Sequence, residues 1–414
     1  MDSLDGETLA VGSTGDCRVF GDRSGDQFWT VLMDDHFPES YEDSRTRFLR
    51  SLSLIRQRWH STQLETHPLK DFPDLSIDWL WAHPRRRENL VIVSTAEHGI
   101  EGFVGSAMMK VFIEEFVPRL NPENTGLLLL HAMNPWGMKH HRKVNEHNVD
   151  LNRNFVFDGD FDPAINPEFL RLKDFLNPQR GLESFGLENL RFWGNVVKHI
   201  FISGIPTLTT ATLLGQHHTP NGFYHGGTDY EENTRVAMIL YRRALEEYPT
   251  IVQMDMHTGY GPRYQMSVIV PPLDPSSSDE LSKRFNYPLV QKINVEEFYA
   301  ISGDMGEYFY RLRNAHFPDK RLFACGFEFG TFGDSLPARI RSLRAMVLEN
   351  QLHWHGATDS RTAEKIHCEF KELYFPTETK WREKALADGR QAFQGILDSY
   401  GLLYDYPNDQ IQQP

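Results

Sequence analysis

Short, mostly apolar runs bounded by turn residues constrain this chain more than any other feature. Leu90-Val91-Ile92-Val93, Gly126-Leu127-Leu128-Leu129-Leu130, residues 251–256 and residues 322–329 have the length of strands, and their scarcity of polar alternation points to strands covered on both faces. Further strands are predicted at residues 197–202 and 266–270. Helical periodicity marks residues 41–63, 103–116, 234–247 and 335–354, and the segment 71–87 leads into the first core strand. Strands alternating with helices predict an α/β fold with helices on both faces of the sheet. The 414 residues, 40% of them hydrophobic, suffice for one large core or two smaller ones. Residues 1–35 form a polar N-terminal segment, rich at its start in Gly, Asp and Ser and expected to be loosely ordered, and residues 36–414 read as a single domain.

The first strand ends at a polar cluster with the makings of a metal site. His98-Gly99-Ile100-Glu101 follows the apolar run and precedes the helical stretch, so an imidazole and a carboxylate three residues apart sit on a strand-to-helix turn and can aim at one point. Gly99 and Gly102 relieve the backbone there. A third donor is His257, at the end of the run Ile251-Val252-Gln253-Met254-Asp255-Met256 and just before Thr258-Gly259-Tyr260-Gly261-Pro262. The carboxyl end of a strand is where open α/β sheets bind ligands. Two His and one Glu make a usual catalytic zinc set with a fourth position open. With 18 histidines in the chain, coincidence is a rival explanation until other motifs are added.

Those motifs are Asn148-Val149-Asp150-Leu151-Asn152-Arg153-Asn154-Phe155, Asn134-Pro135-Trp136-Gly137, Phe223-Tyr224-His225-Gly226-Gly227, the loop 257–262 and Phe327-Glu328-Phe329-Gly330-Thr331. In this order, with His-Gly-x-Glu-Gly at 98–102, the chain resembles the zinc carboxypeptidase (funnelin) superfamily, and within it the branch known only as a domain of unknown function, related to succinylglutamate desuccinylase and aspartoacylase. The likeness runs from about His36 to near the C-terminus. It implies a central mixed, mostly parallel sheet and one Zn2+ per chain held by His98, Glu101 and His257.

The resemblance also implies roles. Glu328 is the general base that takes a proton from metal-activated water, a role suited to an acid that is costly to place between two phenylalanines unless it has a partner or a purpose; the alternative is a buried carboxylate paired with an arginine. Arg153, with Asn152, clamps a free carboxylate of the substrate, since the guanidinium fork matches a carboxylate in bidentate fashion. Arg142 resembles the arginine that polarises the scissile carbonyl, although Lys139 and Lys143 compete and the run 139–143 also reads as a solvated basic loop. Asp150 holds the first zinc histidine by its other ring nitrogen. Asp255, two residues before His257 and so on the same strand face, either does the same for His257 or forms a structural salt bridge. Tyr260 is the tyrosine assigned to the substrate, with Tyr299, Tyr308 and Tyr310 as competitors. Residues 223–227 form a lid or a surface turn, and the turn-rich stretches 158–186 and 271–279 surround the mouth of the site.

Composition narrows the partners. A formal charge of -14 argues against nucleic acid, whose backbone requires an excess of Lys and Arg, but not against an anionic substrate, because Arg142, Arg153 and a cation would make the pocket locally positive. Cys17, Cys325 and Cys368 read as reduced thiols of a cytoplasmic protein. No signal peptide and no span of ~20 apolar residues is visible, so no membrane partner is expected. Oligomeric state is not legible. Three functions compete: a zinc-dependent hydrolase of carboxypeptidase type acting on peptides, a deacylase acting on N-acyl amino acids, and a non-catalytic binding protein on the same fold. A Gly-x-Ser-x-Gly elbow and a His-Glu-x-x-His helix are both absent, which disfavours serine hydrolase and zincin chemistry.

Overall fold

The computed structural model describes residues 36–292 and 303–404, so Tyr299 and the N-terminal segment 1–35 lie outside the described residues. Among these, the strands are β1 (Ser61–Pro68), β2 (Ser76–His83), β3 (Asn89–Thr95), β4 (Thr125–His131), β5 (Thr250–Thr258), β6 (Met266–Val270), β7 (Val290–Lys292) and β8 (Arg321–Phe329). They form one 8-stranded sheet in the order β1-β2-β4-β3-β5-β8-β6-β7. Its centre, β4, β3, β5 and β8, is parallel, while β1, β2 and β6 join antiparallel. The sheet is thus mixed and mostly parallel.

The helices are α1 (Tyr41–Arg56), α2 (Gly102–Val111), α3 (Pro135–Lys139), α4 (Pro167–Leu176), α5 (Phe185–Leu213), α6 (Glu232–Glu247), α7 (Ser278–Phe285), α8 (Met305–His316), α9 (Leu336–His355), α10 (Ser360–Tyr374) and α11 (Thr379–Ser399). Strand alternation assigns them to layers. Met256 and Phe327 point to one face, where a Cβ on Gly105 of α2 would lie 3.4 Å from Met256 and Phe393 of α11 packs on Phe327 with ring centroids 4.9 Å apart. His257, Asp255 and Glu328 point to the other, where Tyr241 of α6 stacks on Phe309 of α8 at 4.3 Å. The main core fills both interfaces. A satellite core of Phe169, Phe175, Phe192, Leu208, Ile340 and Leu343 joins α4, α5 and α9 beside the carboxyl ends of the strands.

Three local expectations change. Residues 197–202, read as a strand from their Val and Ile content, lie inside α5. There Ser184 accepts a hydrogen bond from Leu187 N at the N-cap, and burial of Phe192 and Val196 on one side outweighs β-propensity. The helix at 41–63 ends at Arg56, and the polar residues after it form the edge strand β1, half of whose side chains face solvent. Cys368 is disulfide-bonded, unlike the reduced set expected, whereas Cys325 is buried with a free thiol. Among the described residues no helix is long and apolar enough to cross a membrane.

Candidate metal centre and its cavity

The carboxyl ends of β3, β5 and β8 meet at one point because the three strands run parallel. His257 is the register partner of Glu328, so both side chains leave the sheet on the same face. Gly326, on the same face, leaves room for the imidazole, since a Cβ there would approach His257 Cδ2 to 3.3 Å. On the first strand the chain leaves β3 through Ala96, buried at φ 58°, a left-handed conformation costly for a residue with a Cβ. A single 3-10 turn, Gly99–Glu101, then carries the His98 and Glu101 side chains inward. Gly99 is needed for contact rather than for a special φ: a Cβ would lie 2.1 Å from the Gly137 carbonyl carbon. Its N–H and that of Ile100 donate to Lys143 O and Arg142 O, locking the turn to the 134–143 segment.

Each of the three expected ligands presents one atom to a common point. His98 Nδ1 lies 2.9 Å from Glu101 Oε1, His257 Nδ1 lies 3.3 Å from Glu101 Oε2, and the set of ligand atoms falls within 4.8 Å. The far nitrogen of each ring is held. His98 Nε2 lies 3.1 Å from Asp150 Oδ1, and His257 Nε2 lies 2.5 Å from Asp255 Oδ2. With the Nε2–H of His98 donated to Asp150, its Nδ1 carries the lone pair that faces the centre, and the Asp255 carboxylate against His257 Nε2 favours the same tautomer in the second ring. His98 Nδ1 is buried without a hydrogen-bond partner, a costly state for a polar atom. Two imidazole nitrogens and a carboxylate oxygen within 4.8 Å of one another, one of the nitrogens without a hydrogen-bond partner, fit a zinc ion.

Electrostatics agree with a cation at this point. Burial opposes charge on Glu101, yet His98 and His257 overcome it and hold the carboxyl at about 2. Burial likewise opposes charging the His98 ring, but Glu101, against Lys143, lifts it to about 8. Burial would lower His257, yet Asp255 and Glu101 push it well up. Asp150 stays well below the usual carboxylate range despite burial, because of Lys143, whose Nζ is 2.6 Å away, and His98.

The loop after β5 fixes both carboxylates. Thr258 N donates to Glu101 Oε2 and Tyr260 N to Glu328 Oε1, each at 2.9 Å. Gly259 between them sits at φ 117°, open only to glycine, and a Cβ there would press on Tyr374 at 3.0 Å. Burial and then the Glu101 charge raise Glu328 to about 7, against His257 and the Tyr260 N–H. A carboxylate near neutrality beside the ligand set has the proton affinity of a general base.

A cavity of about 380 Å³ opens on this centre. Asn152, Arg153 and Tyr260 line it together with the ligand set and Glu328. Asn152 Oδ1 accepts from Met305 N at 2.9 Å, which turns its Nδ2 donor the other way. The Arg153 guanidinium lies over the Tyr224 ring, 5.2 Å from the centroid. Arg142 is placed differently from the expectation. Its Nε and Nη2 donate to Glu349 at 2.9 and 3.3 Å, Nη2 also reaches Asn148 Oδ1, and it is absent from the cavity wall, where its neighbour Lys143 appears instead. The Glu349 carboxylate thus holds this guanidinium outside the cavity, with only its Nη1 left without a hydrogen-bond partner. Tyr308 packs on Phe155 and Tyr310 donates to Asp274 in the core, while Tyr224 and Tyr374 join Tyr260 in the wall. Of the 223–227 segment Tyr224, at φ 54°, lines the cavity.

Residues 37–388 match the family model described as protein of unknown function (DUF2817). The chain belongs to this family. No curated protein matches the sequence. Solved structures that follow a similar path include carboxypeptidase A from Helicoverpa armigera, 12% identical with a TM-score of 0.43 over 80% of this chain and 74% of that one. An aspartoacylase family protein from Mesorhizobium loti is 12% identical with a TM-score of 0.35 over 71% and 67%. A succinylglutamate desuccinylase from a Silicibacter species is 11% identical with a TM-score of 0.35 over 71% and 67%.

In this DUF2817 chain Glu97 is a cavity residue that the sequence reading passed over. Glu97 is fully buried and neither carboxylate oxygen has a hydrogen-bond partner. Oε2 lies 3.5 Å from His257 Nε2, in competition with Asp255. Burial, opposed by His257, raises its carboxyl well above the usual carboxylate range. Its only sequence signal is adjacency to His98, which carries no spacing information.

Proposed function

We propose that this chain is a zinc-dependent hydrolase that cleaves an amide bond next to a residue bearing a free carboxylate, in the manner of a carboxypeptidase. The observation that carries this is the convergence of His98 Nδ1, His257 Nδ1 and the Glu101 carboxylate, with Glu328 one strand away in register with His257. A divalent ion bound there supplies Lewis-acid activation of the attacking water and of the scissile carbonyl.

The chain's own residues do the rest. Glu328 takes the proton from the attacking water and returns it to the leaving nitrogen; Oε1 is committed to Tyr260 N, so Oε2 carries the proton. Arg153, with the Asn152 Nδ2 donor, receives the substrate carboxylate and sets the scissile carbonyl at a fixed distance from the centre. Asp150 and Asp255 keep the two imidazoles in the tautomer that presents Nδ1.

The test is hydrolysis of blocked dipeptides and N-acyl amino acids with a free terminal carboxylate. Chelation abolishes it and one equivalent of zinc restores it; full activity in metal-free protein contradicts the reading.

A further inference from the structure

We infer that the substrate residue bearing the free carboxylate carries a cationic side chain of lysine type, whose ammonium is received by Glu97. This rests on the hydrolase reading above and names its substrate class. Glu97 is fully buried in the wall of the cavity, and neither of its oxygens has a hydrogen-bond partner within the protein. A buried carboxylate without a partner is among the costlier groups a fold can hold. His257 Nε2 lies 3.5 Å from it but only 2.5 Å from Asp255 Oδ2, so that ring faces Asp255 first. Lys143 and Lys292 also line the cavity, yet Lys143 pairs with Asp150 and Lys292 donates to the carbonyls of Asp274 and Ser276.

This acidic end lies on the clamp's side of the centre. Gly303 O accepts from Phe155 N at 3.0 Å and Met305 N donates to Asn152 Oδ1 at 2.9 Å, which ties residues 303–306 to the segment that carries Arg153. Asp304, between those two anchors, lines the cavity close enough to Glu97 for its charge to act there. The sheet is open in the same direction. Asp255 stands two residues before His257 on one face of β5, a step of about 6.5 Å, and its register partner Gly326 presents no side chain. Ile269, opposite Gly326 on β6, forms the far side of this opening and lines the cavity with them.

The four-carbon stem of a lysine spans a comparable distance. It ends in three N–H donors, and the carboxylates of Glu97, Asp255 and Asp304 stand around the place it reaches. A neutral side chain of the same length leaves Glu97 unpaired, and an acidic one adds a like charge to this cluster. The substrate carboxylate stays with Arg153 and Asn152, so opposite charges of one residue meet opposite ends of one pocket.

Benzoylglycyl-lysine and benzoylglycyl-norleucine test this, because they differ only in the ammonium and the benzoyl block removes the α-amine. On the zinc-loaded full chain, kcat/KM is expected to be at least ~100-fold higher for the lysine substrate. Titration into the zinc-loaded Glu328→Gln chain, whose turnover is suppressed, should give a Kd at least ~10-fold lower for lysine. Glu97→Gln keeps the shape of the side chain and should bring both ratios down at least ~10-fold; a loss of fold or of zinc lowers the two substrates alike and leaves a ratio where it was. A wild-type ratio near or below one, or a ratio that Glu97→Gln leaves intact, overturns the inference. So does a second bound zinc that disappears in Glu97→Gln, which would assign these carboxylates to a metal. Tight, Glu97-dependent lysine binding without cleavage of any amide would leave the pocket standing and remove the hydrolase reading. Cleavage indifferent to the ammonium would do the reverse.

Discussion

The two ends of the cavity are built on opposite terms. At the strand end, polar groups are fixed by other polar groups: Asp150 and Asp255 hold the imidazoles, and the loop amides of Thr258 and Tyr260 hold the carboxylates of Glu101 and Glu328. At the helix end, α5 and α9 turn their hydroxyls back on their own carbonyls and offer aliphatic surface. The first arrangement preorganises charge, which is expensive to bury and effective where charge develops in a transition state. The second offers contact area, which is non-directional. The contrast runs within a single cavity, and it also separates two arginines. Arg153 lines the cavity, whereas Arg142 is a structural cation spent on Glu349.

The largest expected effect tests the strand end. Glu328→Gln should lower kcat by about 10²–10⁴-fold while the protein retains one equivalent of bound zinc, as metal analysis and stopped assays would show; an unchanged kcat would take the base out of the proposal. Next comes the division between the arginines. Arg142→Met should cost about 3–5 kcal/mol in denaturant unfolding, because it strands the buried Glu349 charge, and should leave KM nearly unchanged in the folded fraction. A large rise in KM with normal stability would return Arg142 to the site.

A third effect lies in the scaffold beneath both ends. Burial lowers the His131 ring to about 4 against Asp78, with Arg45 lowering it further, and Nε2 meets Ser44 Oγ at 2.8 Å. The unfolded chain therefore takes up a proton near its ordinary value while the folded chain does not. Stability is full above about 6.5 and falls as pH drops toward 4, by up to ~3 kcal/mol. Urea midpoints across this range should show the loss, and His131→Leu should flatten it. The smallest effect concerns recognition: Arg153→Ala should raise KM about 10–100-fold for substrates with a free carboxylate and leave their amidated forms unaffected, with equal losses pointing to a different clamp.

The ligand cluster was legible because strand ends converge in a parallel sheet: an apolar run followed by His-Gly-x-Glu, and a second run ending in His257, place their donors at one edge. Glu328 was legible for a related reason, since an acid between Phe327 and Phe329 must face away from the core that buries them. Arg142 was not, because its partner lies 207 residues away and no spacing rule links them. Residues 197–202 misled through β-branched side chains in a helix whose cap and buried stripe decide the matter. The aliphatic wall was invisible too, because it forms only when α5 and α9, far apart in sequence, face each other.

Anomalous diffraction at the zinc edge from crystals of the zinc-loaded chain tests the centre most directly. One peak is expected, about 2.0–2.2 Å from His98 Nδ1, His257 Nδ1 and a Glu101 oxygen, with Glu328 beside the open position. A peak that engages other side chains, or none at full zinc loading, would contradict the site on which every step above depends.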